Sequence, residues 1–106
     1  RYRVVTGLFS EMDAGRLKDL AQSAAADKTL VLLFGAGAGK LGYVLAAGPG
    51  FPLDTGELMP AVNAATGGKG GGRGTLAQGM APSSSGAEET LLQLRSYFTK
   101  RLSGLK

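Results

Sequence analysis

The chain has 106 residues, 12 Lys and Arg against 8 Asp and Glu, 18 glycines, and no His, Cys or Trp. A chain of this length forms one domain, spanning 1–106, and buries roughly two thirds of its unfolded surface without needing a staple. Without His and Cys it has no disulfide framework, no Cys/His zinc site, no thiol nucleophile, no His-containing triad and no c-type haem attachment, so no cofactor is expected in this segment. The formal charge of +4 is unevenly placed. Residues 1–66 are neutral in sum, whereas residues 67–106 carry Lys69, Arg73, Arg95, Lys100, Arg101 and Lys106 against only Glu88 and Glu89. No run approaches the roughly 18 apolar residues of a membrane span and no signal-peptide pattern opens the chain, so a cytoplasmic protein without membrane contact is expected. The chain begins at Arg1 and runs directly into a strand pattern, which is expected of a piece of a longer protein.

In chain order, residues 2–9 alternate with β-branched residues and read as a strand. Asp13 is placed to cap a helix in which Leu17, Leu20, Ala21 and Ala24 recur on one face up to about residue 26. Residues 29–34 form a continuous apolar run, too short for an ordinary helix and suited to a strand buried on both faces. Residues 35–40 read as a turn and 41–47 as a third strand, the two strands making a hairpin. After a loop over 48–52, Asp54 and Glu57 have capping-box spacing ahead of a helix over 55–65, with Pro60 removing one internal donor. Residues 67–74 are a glycine-rich segment expected as a loop, and 75–81 a short strand. Ser85 and Glu88 repeat the capping-box spacing before a last helix whose Ala87, Leu91, Leu94, Phe98 and Leu102 share a face. Its charges suit the helix dipole, with Glu88 and Glu89 at the start and Lys100 and Arg101 at the end. The order βαββαβα predicts an α+β or α/β fold, one sheet of about four to five strands covered by about three helices.

Two glycine segments invite a phosphate-binding reading. Residues 35–40, GAGAGK, fail as a phosphate loop because Phe34 stands where Gly is required and Leu41 where Ser or Thr is required. Gly37, Gly39 and Gly42 match the dinucleotide spacing, but an apolar β-like run follows in place of a helix, and the nearest acidic residue beyond the motif is Asp54, 12 positions after Gly42. A hairpin turn is the simpler account. The second segment, residues 67–79, holds seven of the 18 glycines with Lys69 and Arg73 at fixed positions and Gln78 close behind. A flexible linker would be filled out with Ser. Glycines let a backbone approach a ligand and turn its amides toward an anion, while a lysine and an arginine add a point charge and a planar fork suited to phosphate. The plainer alternative is an ordinary glycine-rich connection.

The run Gly67-Gly68-Lys69-Gly70-Gly71-Gly72-Arg73, followed by Leu76-Ala77-Gln78-Gly79, resembles the glycine signature of the DHH-associated domain at the C-terminus of alanyl-tRNA synthetases. The likeness extends to the first strand, to the helix bearing Asp13, Leu17, Leu20 and Ala21, to the hairpin, to Gly56-Glu57-Leu58 and to the terminal helix. The chain departs from that pattern at Gly74, where the family usually has Pro, and at Met80-Ala81, where it often has a Gly pair. In the related DHH phosphoesterases a His follows the glycines and helps hold the substrate's phosphate. Arg73 stands there in this chain, which resembles the synthetase branch. The resemblance implies a non-catalytic module that holds tRNA, tRNA-Ala foremost, within an alanine-tRNA ligase or an aminoacyl-tRNA editing hydrolase. It implies Gly68, Lys69, Gly70, Gly71, Gly72, Arg73 and Gln78 as RNA- or phosphate-binding residues. Lys100 and Arg101 are candidates to extend the basic surface, against the alternative of a solvated helix face. Two further readings are the nucleotide- or oligonucleotide-binding half of a DHH-type phosphoesterase, and a dimerisation domain that forms a homodimer.

Overall fold

An apolar run such as the one beginning at Thr29 is buried on both faces only in the middle of a sheet with layers on either side, and that is its place here. A computed structural model describes residues 2–104. The elements are β1 (Arg3–Ser10), α1 (Ala14–Ala24), β2 (Thr29–Gly37), β3 (Lys40–Ala47), α2 (Thr55–Thr66), β4 (Lys69–Arg73), β5 (Leu76–Ala81) and α3 (Ala87–Ser103). They form one five-stranded sheet in the order β1-β2-β3-β5-β4, parallel between β1 and β2 and antiparallel elsewhere.

The two faces of the sheet are covered unequally. Successive strand residues point to opposite sides. Val31, Leu33, Val44 and Ala46 meet Leu17 and Ala21 of α1. Leu30, Leu32, Phe34, Tyr43 and Leu45 meet Leu58, Met59 and Val62 of α2 and Leu91, Leu94 and Phe98 of α3. The Asp13 cap is present, its Oδ1 accepting from the Arg16 N–H at 2.9 Å. Leu20 departs from the predicted stripe and is exposed, because α1 buries only Leu17 and Ala21. The predicted face of α3 is buried throughout, and its terminal charges complement the dipole. No helix among the described residues is long and apolar enough to cross a membrane.

Four local expectations are corrected. Residues 35–37 belong to β2, and the hairpin turn is the two residues Ala38 and Gly39, both at positive φ, as tight β-hairpins require. Ser85 does not cap α3; Gly86 stands there with no side-chain cap bond. Glu57 does not complete a capping box, and its carboxylate lies 4.0 Å from Arg101, an exposed pair of little weight. The glycine-rich segment is no loop. It is the edge strand β4, which makes the order βαββαββα.

Helix α2 is what turns these glycines into a strand. At the hairpin turn, Gly74 takes φ 71°, and its N–H donates to Asp54 Oδ2 at 2.8 Å while Asp54 Oδ1 caps the Gly56 N–H at 2.7 Å. The Gly74 carbonyl accepts from the Thr55 N–H and hydroxyl. At the other end Gly67, left-handed at φ 73°, closes α2, and the N–H groups of Gly67 and Gly68 both donate to the Asn63 carbonyl. Between the ends, the buried Tyr43 hydroxyl donates to Asn63 Oδ1 at 2.6 Å, and Asn63 Nδ2 donates to the Gly70 carbonyl at 3.0 Å. β4 is thereby pressed against its neighbours. A Cβ on Gly68 would meet the Tyr43 hydroxyl and the Met80 carbonyl, and one on Gly70 or Gly72 would strike the β5 backbone closer than 3.0 Å. A Cβ on Gly71 would meet nothing within 4 Å.

The packing sets the cost of substitutions on both sides of the sheet. Leu91→Ala should cost about 2–5 kcal/mol in urea unfolding, against about 0.5 kcal/mol for the exposed Leu92→Ala. Gly70→Ala and Gly72→Ala should lower the unfolding midpoint clearly while Gly71→Ala leaves it nearly unchanged. Asn63→Ala should cost about 1–3 kcal/mol, since it strands the buried Tyr43 hydroxyl.

Candidate functional site

The register of β4 divides the signature residues between two sides. Lys69, Gly71 and Arg73 stand opposite Met80, Gln78 and Leu76 of β5, and these stand opposite Gly42, Val44 and Ala46 of β3. All of them lie on the α1 side of the sheet. Gly70 and Gly72 alternate with them and face the other way, and Gly68 is packed against Tyr43, so these three glycines are packing residues. Helix α1 packs over β2 and β3, its cluster reaching β5 only at Leu76, and leaves the rest of the β5–β4 ribbon bare. Lys69, Gly71, Arg73, Gln78 and Met80 are accordingly exposed.

This exposed ribbon presents two cations about 14 Å apart along one strand, taking roughly 3.4 Å per residue, with a glycine midway. The surface between them is flat backbone. Gln78, paired with Gly71, adds an amide that both donates and accepts. Amides converging on one anion are not what the strand provides. Within 67–74 only Gly67 and Gly74 have positive φ, and both are engaged by α2, while residues 70–72 are extended with amides alternating along the strand. What the ribbon can offer an anion is therefore side-chain charge on an accessible flat surface.

Lys100 and Arg101 do not join Lys69 and Arg73. They sit in the last turn of α3, on the opposite side of the sheet, where they complement the helix C-terminus. The basic excess of the sequence is thus split between two surfaces, and Lys106 lies outside the described residues. Phe98 is 1% exposed and belongs to the core, whereas Tyr97 is at the surface.

Beside the ribbon runs a groove of about 210 Å³, on which part of the glycine segment read in the sequence as a hairpin turn falls. It lies between the start of α1 and the β3–β5 surface, bordered by Met12, Leu17, Lys40, Gly42, Gln78 and Met80. Gly35, Gly37, Lys40 and Gly42 of that segment line it, and Gly42 lies inside a strand with no turn to serve. Among the described residues, no three carboxylates gather closely enough to hold a metal ion.

Residues 2–100 match the family model of the DHHA1 domain. No curated protein matches the chain. Among solved structures, the C-Ala domain of alanyl-tRNA synthetase from Aquifex aeolicus shares the fold with a TM-score of 0.79, at 24% identity over 88% of this chain and 87% of that one. With the family model running from the first strand into the last helix, the chain belongs to the DHHA1 domain family.

Proposed function

We propose that this domain is a non-catalytic module that holds tRNA, tRNA-Ala foremost, on the bare face of the β4–β5 ribbon. The observation that carries this reading is the placement of Lys69 and Arg73 on one exposed strand face, with Gly71 between them where the fold would accept a side chain. The shared fold with a domain of a tRNA synthetase supports it. Lysine binds a phosphate as a point charge and arginine as a fork. A sugar-phosphate strand crossing the ribbon gains both contacts, and the absence of a side chain at Gly71 lets it lie close to the sheet. Such a module requires little affinity of its own, because tethering raises the local concentration of bound RNA at a neighbouring catalytic unit of the parent protein.

The test is a salt titration of tRNA binding. Every phosphate that the protein ceases to neutralise should reduce the slope of log affinity against log salt by about 0.7–0.9, so Lys69→Ala with Arg73→Ala should reduce it by about 1.4–1.8. Lys100→Ala with Arg101→Ala, on the other side of the sheet, should change it much less. An unchanged slope and affinity in the first double variant would overturn the proposal. Sedimentation of the same samples separates it from the dimerisation reading, which requires a self-associating protein whose dimer dissociates on charge insertion.

A further inference from the structure

We infer that the groove between α1 and the β3–β5 surface is a seat for one unpaired nucleobase of the RNA held on the ribbon. This inference rests on the reading of the domain as an RNA-holding module. It begins with two glycines in the interior of strands that the fold does not explain. A glycine inside a strand costs stability and often marks close approach by another molecule. Gly70, Gly72 and Gly79 are enforced by packing, since a Cβ on any of them would collide with backbone or with Tyr43. Gly42 and Gly71 are not. A Cβ on Gly42 would stand an ordinary 3.7 Å from the Gly35 carbonyl, and one on Gly71 would meet open space. Both lie on the same side of the sheet, separated by the Gln78 and Met80 positions of β5, and the groove is directly over Gly42.

The groove has the chemistry of a base site. Met12 and Leu17 border it from the α1 side and Met80 from the β5 side, giving apolar and polarisable walls suited to the faces of a flat ring. Gln78 supplies the paired donor and acceptor that a base edge requires. Charge complementarity selects a nucleic acid over a peptide. Lys40 stands at the groove and Lys69 is opposite Met80, while Asp13, the one carboxylate at the groove, has its Oδ1 engaged by the Arg16 N–H. A groove of about 210 Å³ has room for a flat ring system. The base must be unpaired, because in a helix its faces are stacked and its pairing edge is occupied.

The experiment compares two RNA hairpins of equal length and charge, one carrying 2-aminopurine as a single-nucleotide bulge and the other carrying it paired. The unaltered domain should bind the bulged hairpin more tightly by about fivefold or more, with a change in 2-aminopurine fluorescence. Gly42→Val, which fills the groove, and Met80→Ala, which removes a wall, should each abolish most of that preference while leaving affinity for the paired hairpin within about twofold. Met80 is 53% exposed, so its variant keeps the test valid if Gly42→Val melts early. Salt-dependent binding with no preference for the bulge, or equal weakening toward both hairpins in well-folded variants, would overturn the base seat and leave the RNA-holding reading intact. Absence of salt-dependent binding to either hairpin would overturn both.

Discussion

The chain of hydrogen bonds from Tyr43 through Asn63 to Gly70 is the constraint on which the rest of the molecule's exposed chemistry depends. A strand containing three consecutive glycines has little of its own to hold it extended, since glycine loses the most backbone entropy on ordering and contributes no side chain to pack. Helix α2 supplies what the strand lacks. Asp54 and Thr55 fix the hairpin turn, Asn63 fixes the middle and the start, and the buried Tyr43 ties Asn63 to the core. Each bond is worth only about 1 kcal/mol net, but together they hold an otherwise pliable segment in one place. The glycines facing Tyr43 and β5 then become obligatory, because they let β4 lie close enough for those bonds to form.

This arrangement also separates packing from presentation within a single signature. In an extended strand neighbouring residues serve opposite faces, so Gly70 and Gly72 satisfy the fold while Lys69, Gly71 and Arg73 remain available to a ligand. The unequal layers do the rest. One helix on the α1 side covers chiefly β2 and β3, whereas two helices cover the other side, so the bare region of the sheet coincides with the cationic strand and with the groove beside it. The exposed charges are not drained by internal ion pairs. The single pair among the described residues, Arg101 with Glu57, lies between α3 and α2.

Much of this is legible from the residues. The doubly buried run at Leu30–Phe34, the Asp13 and Asp54 caps and the α3 stripe follow from periodicity and capping chemistry, which act within a few residues of the chain. The segment 67–74 reads as a loop because propensity rates glycine poorly in strands, and the compensating bonds come from Asp54 and Asn63, which serve α2 in the sequence pattern. Leu20 joins the apolar stripe on paper because helical spacing identifies a face without fixing how far the sheet extends beneath it. Lys100 and Arg101 group with Lys69 and Arg73 only by proximity along the chain, and α3 carries them to the other side of the sheet.

By itself, the sequence determined the helices and two of their caps, the buried central strand, the family signature and the exclusion of thiol and imidazole chemistry. All of these depend on composition or on interactions between near neighbours. Only the tertiary structure decided that the glycines form an edge strand, which of them are obligatory, which cations share a face, and where a groove opens beside them. Those outcomes depend on strand register and on contacts between residues far apart in the chain, such as Tyr43 with Asn63 and Asp54 with Gly74. A one-residue change of register would exchange the two faces of β4 without altering a single letter of the sequence.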